Sequence, residues 1–332
     1  MKVAFFSTKS YDQEFMDQAN ASHQHEISYF DSALTAQTAV LAQDHPAVCL
    51  FVNDVADAAV LKKLSDFGVE LIALRCAGFN NVDLRQAEAL DLPVVRVPAY
   101  SPYAVAEHAL AMIMTLNRKT NLAYARVRNG NFSLEHLIGF DLHGQTVGVV
   151  GTGKIGRVFA RMMCGLGCPV VAYDPHPHEA FAQEDGISYV TLPELFAQAK
   201  IISLHCPLTE ETHHLIDADA IAQMCPEVML INTSRGALVD TAAVIKGLKS
   251  RKVGFFGLDV YEQEENLFFE DLSGSIIQDD KITRLMTFPN VLITSHQAFF
   301  TRDAMSQIAE TTLRNITDFA QGRALENQVQ AR

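Results

Sequence analysis

A chain of 332 residues carries 26 Lys and Arg against 39 Asp and Glu, a formal net charge of −13, with 48% hydrophobic and 20% charged residues. That balance belongs to a globular protein with a sizeable core, about two domains by length, and not to a disordered chain. An acidic chain without a Lys/Arg block offers no partner surface to nucleic acid or to an anionic membrane, and no run approaches the roughly 18 apolar residues of a spanning helix.

The first apolar stretch, near Val3, is too short for a secretory core and reads as a first β-strand. Further apolar runs predict strands at Val3–Ser7, Ala47–Val52, Leu71–Leu74, Val94–Val97, Val147–Val150 and Val170–Tyr173, then at Ile201–Leu204, Val228–Ile231, Gly254–Leu258 and Val291–Thr294. Val, Ile and Leu on consecutive positions mark strands buried on both faces, and the intervening segments are long enough for crossover helices. The fold class is therefore α/β, doubly wound around parallel sheet, with more strands than one sheet comfortably holds. After Val97 the segment Pro98-Ala99-Tyr100-Ser101-Pro102 interrupts the pattern. Ala104–Asn117 then reads as an apolar helix, with Pro102 at its first position and Ser101 as its cap. Thr301–Phe319 reads as a final amphipathic helix. The pattern divides the chain into a first unit at residues 1–99 and a second at 100–299, and does not by itself say which of the two the final helix packs against. The six cysteines (Cys49, Cys76, Cys164, Cys168, Cys206, Cys225) form no CxxC pair. Free thiols and a cytoplasmic location are expected. His205, His213 and His214 show no metal-ligand spacing, and no metal is expected.

The most informative motif is Gly151-Thr152-Gly153-Lys154-Ile155-Gly156, which follows the Val147–Val150 strand and opens a helix. Gly151 permits the tight turn, Gly153 lets backbone approach a pyrophosphate, and Gly156 lets helix pack on strand. Lys154 and Ile155 complete the turn, and the helix N-terminus presents N–H groups to the phosphates. Asp174 ends the next strand, at the distance expected of a ribose-binding carboxylate. It accepts from a free 2′-hydroxyl and repels a 2′-phosphate. No Arg follows in Pro175-His176-Pro177-His178, so NAD is expected and not NADP.

Three polar residues fall at the C-terminal ends of predicted strands, where open α/β sheets place ligands. Arg235 follows Asn232-Thr233-Ser234, Glu264 follows Asp259-Val260-Tyr261-Glu262-Gln263, and His296 follows Ile293-Thr294-Ser295. With Arg75-Cys76-Ala77-Gly78, Pro98-Ala99-Tyr100-Ser101-Pro102, His205-Cys206-Pro207 and His296-Gln297-Ala298-Phe299, these stretches resemble the D-isomer-specific 2-hydroxyacid dehydrogenase family, and its branch acting on D-lactate. The resemblance runs in family order from residue 75 to 299. It implies two Rossmann-like doubly wound domains with a cleft between them. The flavodoxin-like substrate domain would comprise 1–99 and 300–332, and the NAD-binding domain 100–299. The activity it implies is reversible hydride transfer between NADH and pyruvate, giving D-lactate.

The chemistry explains the residue types. Arg235 can grip the carboxylate of a 2-oxo acid with two parallel N–H bonds, a geometry Lys does not have. His296 can give a proton to the carbonyl oxygen and recover it in reverse. Glu264 would orient the imidazole. On physics alone Glu262 or Glu265 could do the same, and the family register selects Glu264. The resemblance further implies that Ala77, Gly78, Tyr100 and Phe299 meet substrate, alongside Arg235 and His296, and that Cys206, Pro207, Thr233, Ser234 and Asp259 line the cofactor. Each has a plainer reading: an ordinary turn for Ala77 and Gly78, hinge packing for Tyr100, core packing for Phe299, a buried thiol for Cys206. The acidic run Glu262–Glu265 otherwise reads as a solvated loop. A homo-oligomer, dimer or tetramer, is implied as well. The alternatives are a dehydrogenase of another D-2-hydroxy acid and, in a different class, an NADH-sensing binding or corepressor protein on the same scaffold.

Overall fold

In the computed structural model, which describes residues 1–264 and 267–331, the chain separates into two compact units, Met1–Ser101 with Phe300–Arg332, and Pro102–Phe299. Glu265 lies outside the described residues.

The first unit runs β1 (Lys2–Phe5), α1 (Ser10–His23), β2 (Glu26–Tyr29), β3 (Ala47–Leu50), α2 (Ala58–Asp66), β4 (Leu71–Leu74), α3 (Leu84–Ala89) and β5 (Val94–Val95). Val48, Leu50, Ile72 and Leu74 join the buried cluster under α2 and α3. The alternating Val3, Phe5, Cys49 and Ala73 are buried as well, so by the two-residue strand period they occupy the opposite face. The predicted strand at Val3–Ser7 stops at Phe5, because Ser7 turns into the left-handed region at φ 51°.

The second unit opens with α4 (Pro102–Arg118) and α5 (Thr120–Arg128). It continues β6 (Val147–Val150), α6 (Lys154–Gly165), β7 (Val170–Tyr173), α7 (Glu179–Asp185), β8 (Ser188–Tyr189), α8 (Leu192–Gln198) and β9 (Ile201–Leu204). Then come α9 (Ala218–Gln223), β10 (Val228–Asn232), α10 (Thr241–Lys249), β11 (Val253–Leu258), α11 (Asp280–Met286) and β12 (Val291–Ile293). Its strands are parallel, in the order β12-β11-β10-β9-β6-β7-β8. Along β10, Val228 and Leu230 enter one buried cluster while Met229 and Ile231 enter the other, beneath α4 and α6. This is the double burial that unbroken apolar runs demand. Chain direction around the sheet reverses between β6 and β9, which makes their C-terminal ends the switch point where such sheets hold ligands.

The chain then returns to the first unit as α12 (Arg302–Ala320) and β13 (Gln328–Val329). Thr301 caps α12 by accepting from the Ala304 N–H. The helix packs along α1 and over β4, and β13 pairs antiparallel with β5. The completed first sheet has the order β13-β5-β4-β3-β1-β2, a flavodoxin-like sequence of parallel strands with one antiparallel edge.

Candidate active site

At the switch point the glycine turn has the geometry its sequence requires. Gly151 sits at φ 93°, and a Cβ there would lie 2.6 Å from the Cys206 nitrogen. The loops after β6 and β9 thus touch backbone to backbone. A Cβ on Gly156 would collide with the Gly151 carbonyl oxygen, whereas one on Gly153 would meet nothing within 4 Å. Gly153 is the N-cap of α6, so open space lies in front of the N–H groups that begin this helix. That geometry fits a pyrophosphate. Below the turn, the His205 ring lies 4.9 Å from that of Phe159, and its Nε2 is 2.9 Å from Ser203 Oγ. The residue keeps some surface, but this enclosure of the ring disfavours its charged form and lowers its pKa to about 3.

Asp174, at the end of β7, faces the turn. Its Oδ2 accepts from the Thr152 N–H (2.7 Å) and hydroxyl (2.9 Å), and its Oδ1 from the His176 N–H (2.9 Å). Burial works to raise its pKa, but these hydrogen bonds outweigh it and hold the carboxyl below its ordinary value. Across the switch point, Ser234 Oγ donates to the Cys206 carbonyl at 2.6 Å, and burial pushes the Cys206 thiol up to about 11. Thr233 Oγ is buried with no partner among the described residues. An orphaned hydroxyl just past the C-terminal end of β10, in the same sheet whose β6 and β7 end at the open glycine turn and the ionised Asp174, fits a dinucleotide that brings its own polar groups.

Arg235, Glu264 and His296 follow the C-terminal ends of β10, β11 and β12, three adjacent strands. His296 Nδ1 lies 2.9 Å from Glu264 Oε1, and Glu264 Oε2 accepts from the Tyr261 N–H at 2.9 Å. The carboxylate therefore ties the imidazole to the loop after β11, and His296 Nε2 has no partner among the described residues. Glu262 is occupied elsewhere: its Oε1 is 2.7 Å from His214 Nε2, and its Oε2 accepts from the Thr241 N–H at the start of α10. The solvated acidic loop expected from the sequence is thus corrected for both carboxylates. Arg235 Nη1 donates to the Ser234 carbonyl at 2.7 Å. A Cβ on the following Gly236 would collide with the Tyr261 carbonyl, so only glycine lets the Arg235 loop lie this close to the loop that carries Glu264.

Sequence reasoning placed Asp259 against the cofactor, and the structure gives its carboxylate a full set of protein partners. It is completely buried and accepts from the Thr294 hydroxyl (2.6 Å) and the N–H groups of Gln297 and Ala298 (2.8 Å each). His108 Nε2 of α4 lies 3.4 Å from it. Burial raises its pKa, and the bonds from His108, Thr294 and Ala298 more than reverse this, leaving it below the ordinary value. Its backbone oxygen accepts from the His296 N–H at 2.7 Å, which helps hold His296 at φ 52°, a left-handed conformation uncommon for residues other than glycine. His108 and Thr294 were missed from the sequence, because nothing local in either segment signals their meeting.

In the first unit, Ala77 and Gly78 follow β4. Their carbonyls accept from Arg96 Nη1 (2.6 Å) and Cys76 Sγ (3.3 Å), and their N–H groups have no partner among the described residues. Tyr100 and Phe299 are half-buried. Just before this loop, Arg75 is buried with its guanidinium donating to the Phe6 and Ser7 carbonyls and lying 4.7 Å from the Phe51 ring centroid. Asp12 is 3.6 Å from its Nε. This charge in the core was also invisible to the sequence reading.

No group of three or more His, Cys, Asp or Glu among the described residues is placed to hold a metal ion, and no helix among them is long and apolar enough to cross a membrane.

Comparison with known proteins agrees with this geometry. Residues 110–298 match the family model of the D-isomer specific 2-hydroxyacid dehydrogenase NAD binding domain. The chain is 52% identical to a D-lactate dehydrogenase of Escherichia coli over 99% of its own length and 100% of the relative's. The apo-structure of D-lactate dehydrogenase from Escherichia coli superposes with a TM-score of 0.91 at 50% identity, covering 99% of this chain and 100% of that one. A structure described as the pyruvate reductase of Chlamydomonas reinhardtii gives 0.94 at 44% identity, covering 98% of each. The two Rossmann-like sheets, the glycine turn with the Asp174 carboxylate bonded to it, and likeness across the full length place this chain in the D-isomer-specific 2-hydroxyacid dehydrogenase family, with NAD as its cofactor.

Proposed function

We propose that the chain interconverts pyruvate and D-lactate, with Arg235, Glu264 and His296 as its catalytic residues. The observation that carries this reading is the His296–Glu264 pair at 2.9 Å with Nε2 left over, both residues following, like Arg235, the C-terminal ends of neighbouring strands of one sheet. NADH, when bound, supplies the hydride. Arg235 binds the carboxylate of the 2-oxo acid and polarises its carbonyl. His296, oriented through Nδ1 by Glu264, delivers a proton from Nε2 to the carbonyl oxygen and takes it back in the reverse direction. Reduction therefore consumes a proton, and lactate oxidation releases one. Asp259 sets the loop that carries His296. Ala77 and Gly78 are assigned to the substrate carboxylate on the strength of their unpartnered N–H groups. Tyr100 and Phe299 are assigned to the substrate side chain. Gly151, Gly153, Lys154, Ile155 and Gly156 are assigned to the pyrophosphate and Asp174 to the adenosine ribose. Cys206, Pro207, Thr233 and Ser234 line the remainder of the dinucleotide site.

The test is a kinetic panel of 2-oxo acids with NADH and NADPH, with product chirality determined. Pyruvate with NADH should give the highest kcat/KM and D-lactate as product. 2-Oxobutyrate should be accepted at about 10- to 200-fold lower kcat/KM, since one methylene is worth about 1–3 kcal/mol. L-lactate as product, or NADH binding without turnover of any 2-oxo acid, would overturn the assignment.

A homo-oligomer and a cytoplasmic location are part of the same proposal. Helix α5 has no buried residue, and Phe132, Leu134 and Ile138 after it are 75%, 81% and 86% exposed. Such an apolar strip is suited to cover by a second copy. Six free cysteines suit a reducing compartment.

A further inference from the structure

We propose that Tyr189, on the edge strand β8, is a specificity-determining positioning residue: its hydroxyl, acting through Thr152, fixes the carboxylate of Asp174 so that the site takes NADH and rejects NADPH. The proposal rests on the assignment of Asp174 to the adenosine ribose and deepens it.

The contacts form a chain with one possible direction. The His178 N–H reaches Tyr189 Oη at 3.1 Å, Tyr189 Oη reaches Thr152 Oγ at 2.8 Å, and Thr152 Oγ reaches Asp174 Oδ2 at 2.9 Å. An N–H can only donate and an ionised carboxylate can only accept. The phenol proton therefore points to Thr152, and the threonine proton to Asp174. Thr152, 5% exposed, spends its N–H on the same Oδ2, at 2.7 Å. Pairing of β8 with β7 sets Tyr189 opposite Ala172, two residues before Asp174. The Gly151 N–H donates to the Tyr173 carbonyl, so the glycine turn and the end of β7 are joined by backbone as well.

A carboxylate has about four acceptor positions, and three are filled, by the Thr152 N–H, the Thr152 hydroxyl and the His176 N–H. What remains accepts one hydroxyl proton and offers none. A ribose 2′-hydroxyl satisfies that demand. A 2′-phosphate brings only negative charge to a carboxylate that is held in place and cannot swing aside. Without the phenol, the Thr152 hydroxyl loses the bond that orients it and is free to turn, and the carboxylate gains room to move away from a phosphate.

The experiment compares Tyr189→Phe, Thr152→Val, the double variant and Asp174→Ala with the native chain. It measures Kd for NADH and NADPH by nucleotide fluorescence, and KM and kcat with each. Loss of one hydrogen bond predicts that Tyr189→Phe weakens NADH about 2- to 10-fold and narrows the NADH/NADPH Kd ratio by a similar factor, with the effect in Kd and KM and not in kcat. In the Thr152→Val background, Tyr189→Phe should change the ratio no further, because its only route to the carboxylate is gone. Equal weakening of both nucleotides, or an undiminished effect in the Thr152→Val background, would overturn the proposal while leaving Asp174 in its role. An unaltered ratio in Asp174→Ala would instead overturn the assignment of Asp174 itself.

Discussion

At the residue scale, the candidate chemistry depends on which of several acidic side chains reaches one imidazole. His296→Ala should lower kcat for pyruvate reduction by about 10²- to 10⁴-fold, the usual worth of a positioned proton donor. Kd for NADH, read by fluorescence titration, should stay within about twofold, since the glycine turn and Asp174 are untouched. Lost NADH binding would remove His296 from the proton-transfer role. Glu264→Gln keeps a hydrogen-bond acceptor but not the charge, so it should fall between the native chain and His296→Ala. The types of these residues and their places after strands could be read from the sequence. Their partners could not. His108 and Asp259, or Thr152 and Tyr189, meet only after strand order and register have been set, and no local spacing encodes that. Choice among Glu262, Glu264 and Glu265 needed the family register, whereas in the folded chain Glu262 is engaged by His214 and Thr241.

At the scale of elements, interior strands declared themselves and most edges did not. Strands β2, β8 and β13 all lie at sheet edges, where one flank is free and a run of Val, Ile and Leu is not required. Edge strand β12 was legible only because Val291-Leu292-Ile293 is apolar regardless. His205 shows an element-scale effect on stability. Its pKa is lowered from 6.5 to about 3 in the folded chain. Below pH about 6.5 the unfolded chain binds a proton that the folded chain does not, so stability falls as pH drops from about 6.5 toward 3, with a slope of at most about 1.4 kcal/mol per unit from this residue. Urea unfolding of His205→Gln should show a shallower acid decline over that window than the native chain. An equal slope in both would show that the acid sensitivity arises elsewhere.

For the whole molecule, the strip formed by α5 and Phe132, Leu134 and Ile138 predicts self-association. Light scattering should give the native chain at twice its own mass or a higher multiple, and a Phe132→Ser/Ile138→Ser variant at a smaller one. A native chain running at a single chain mass would refute the oligomer. The two-unit organisation was legible because two prolines and a polar stop interrupt the apolar rhythm near residues 98–102 and 295–297. The return of the last helix was expected from the family alone, since amphipathicity says that a face is buried and not which neighbour buries it.

That return has a consequence for the order in which the protein is made. The first unit takes its opening five strands from one end of the chain and the helix that packs on α1 and β4 from the other. At 5–20 residues per second on the ribosome, the roughly 200 residues of the intervening unit take about 10–40 s to synthesise. Through that interval the nascent amino-terminal region waits with an apolar face uncovered, while the contiguous domain behind it can already fold, and this is the period in which the chain most needs a chaperone.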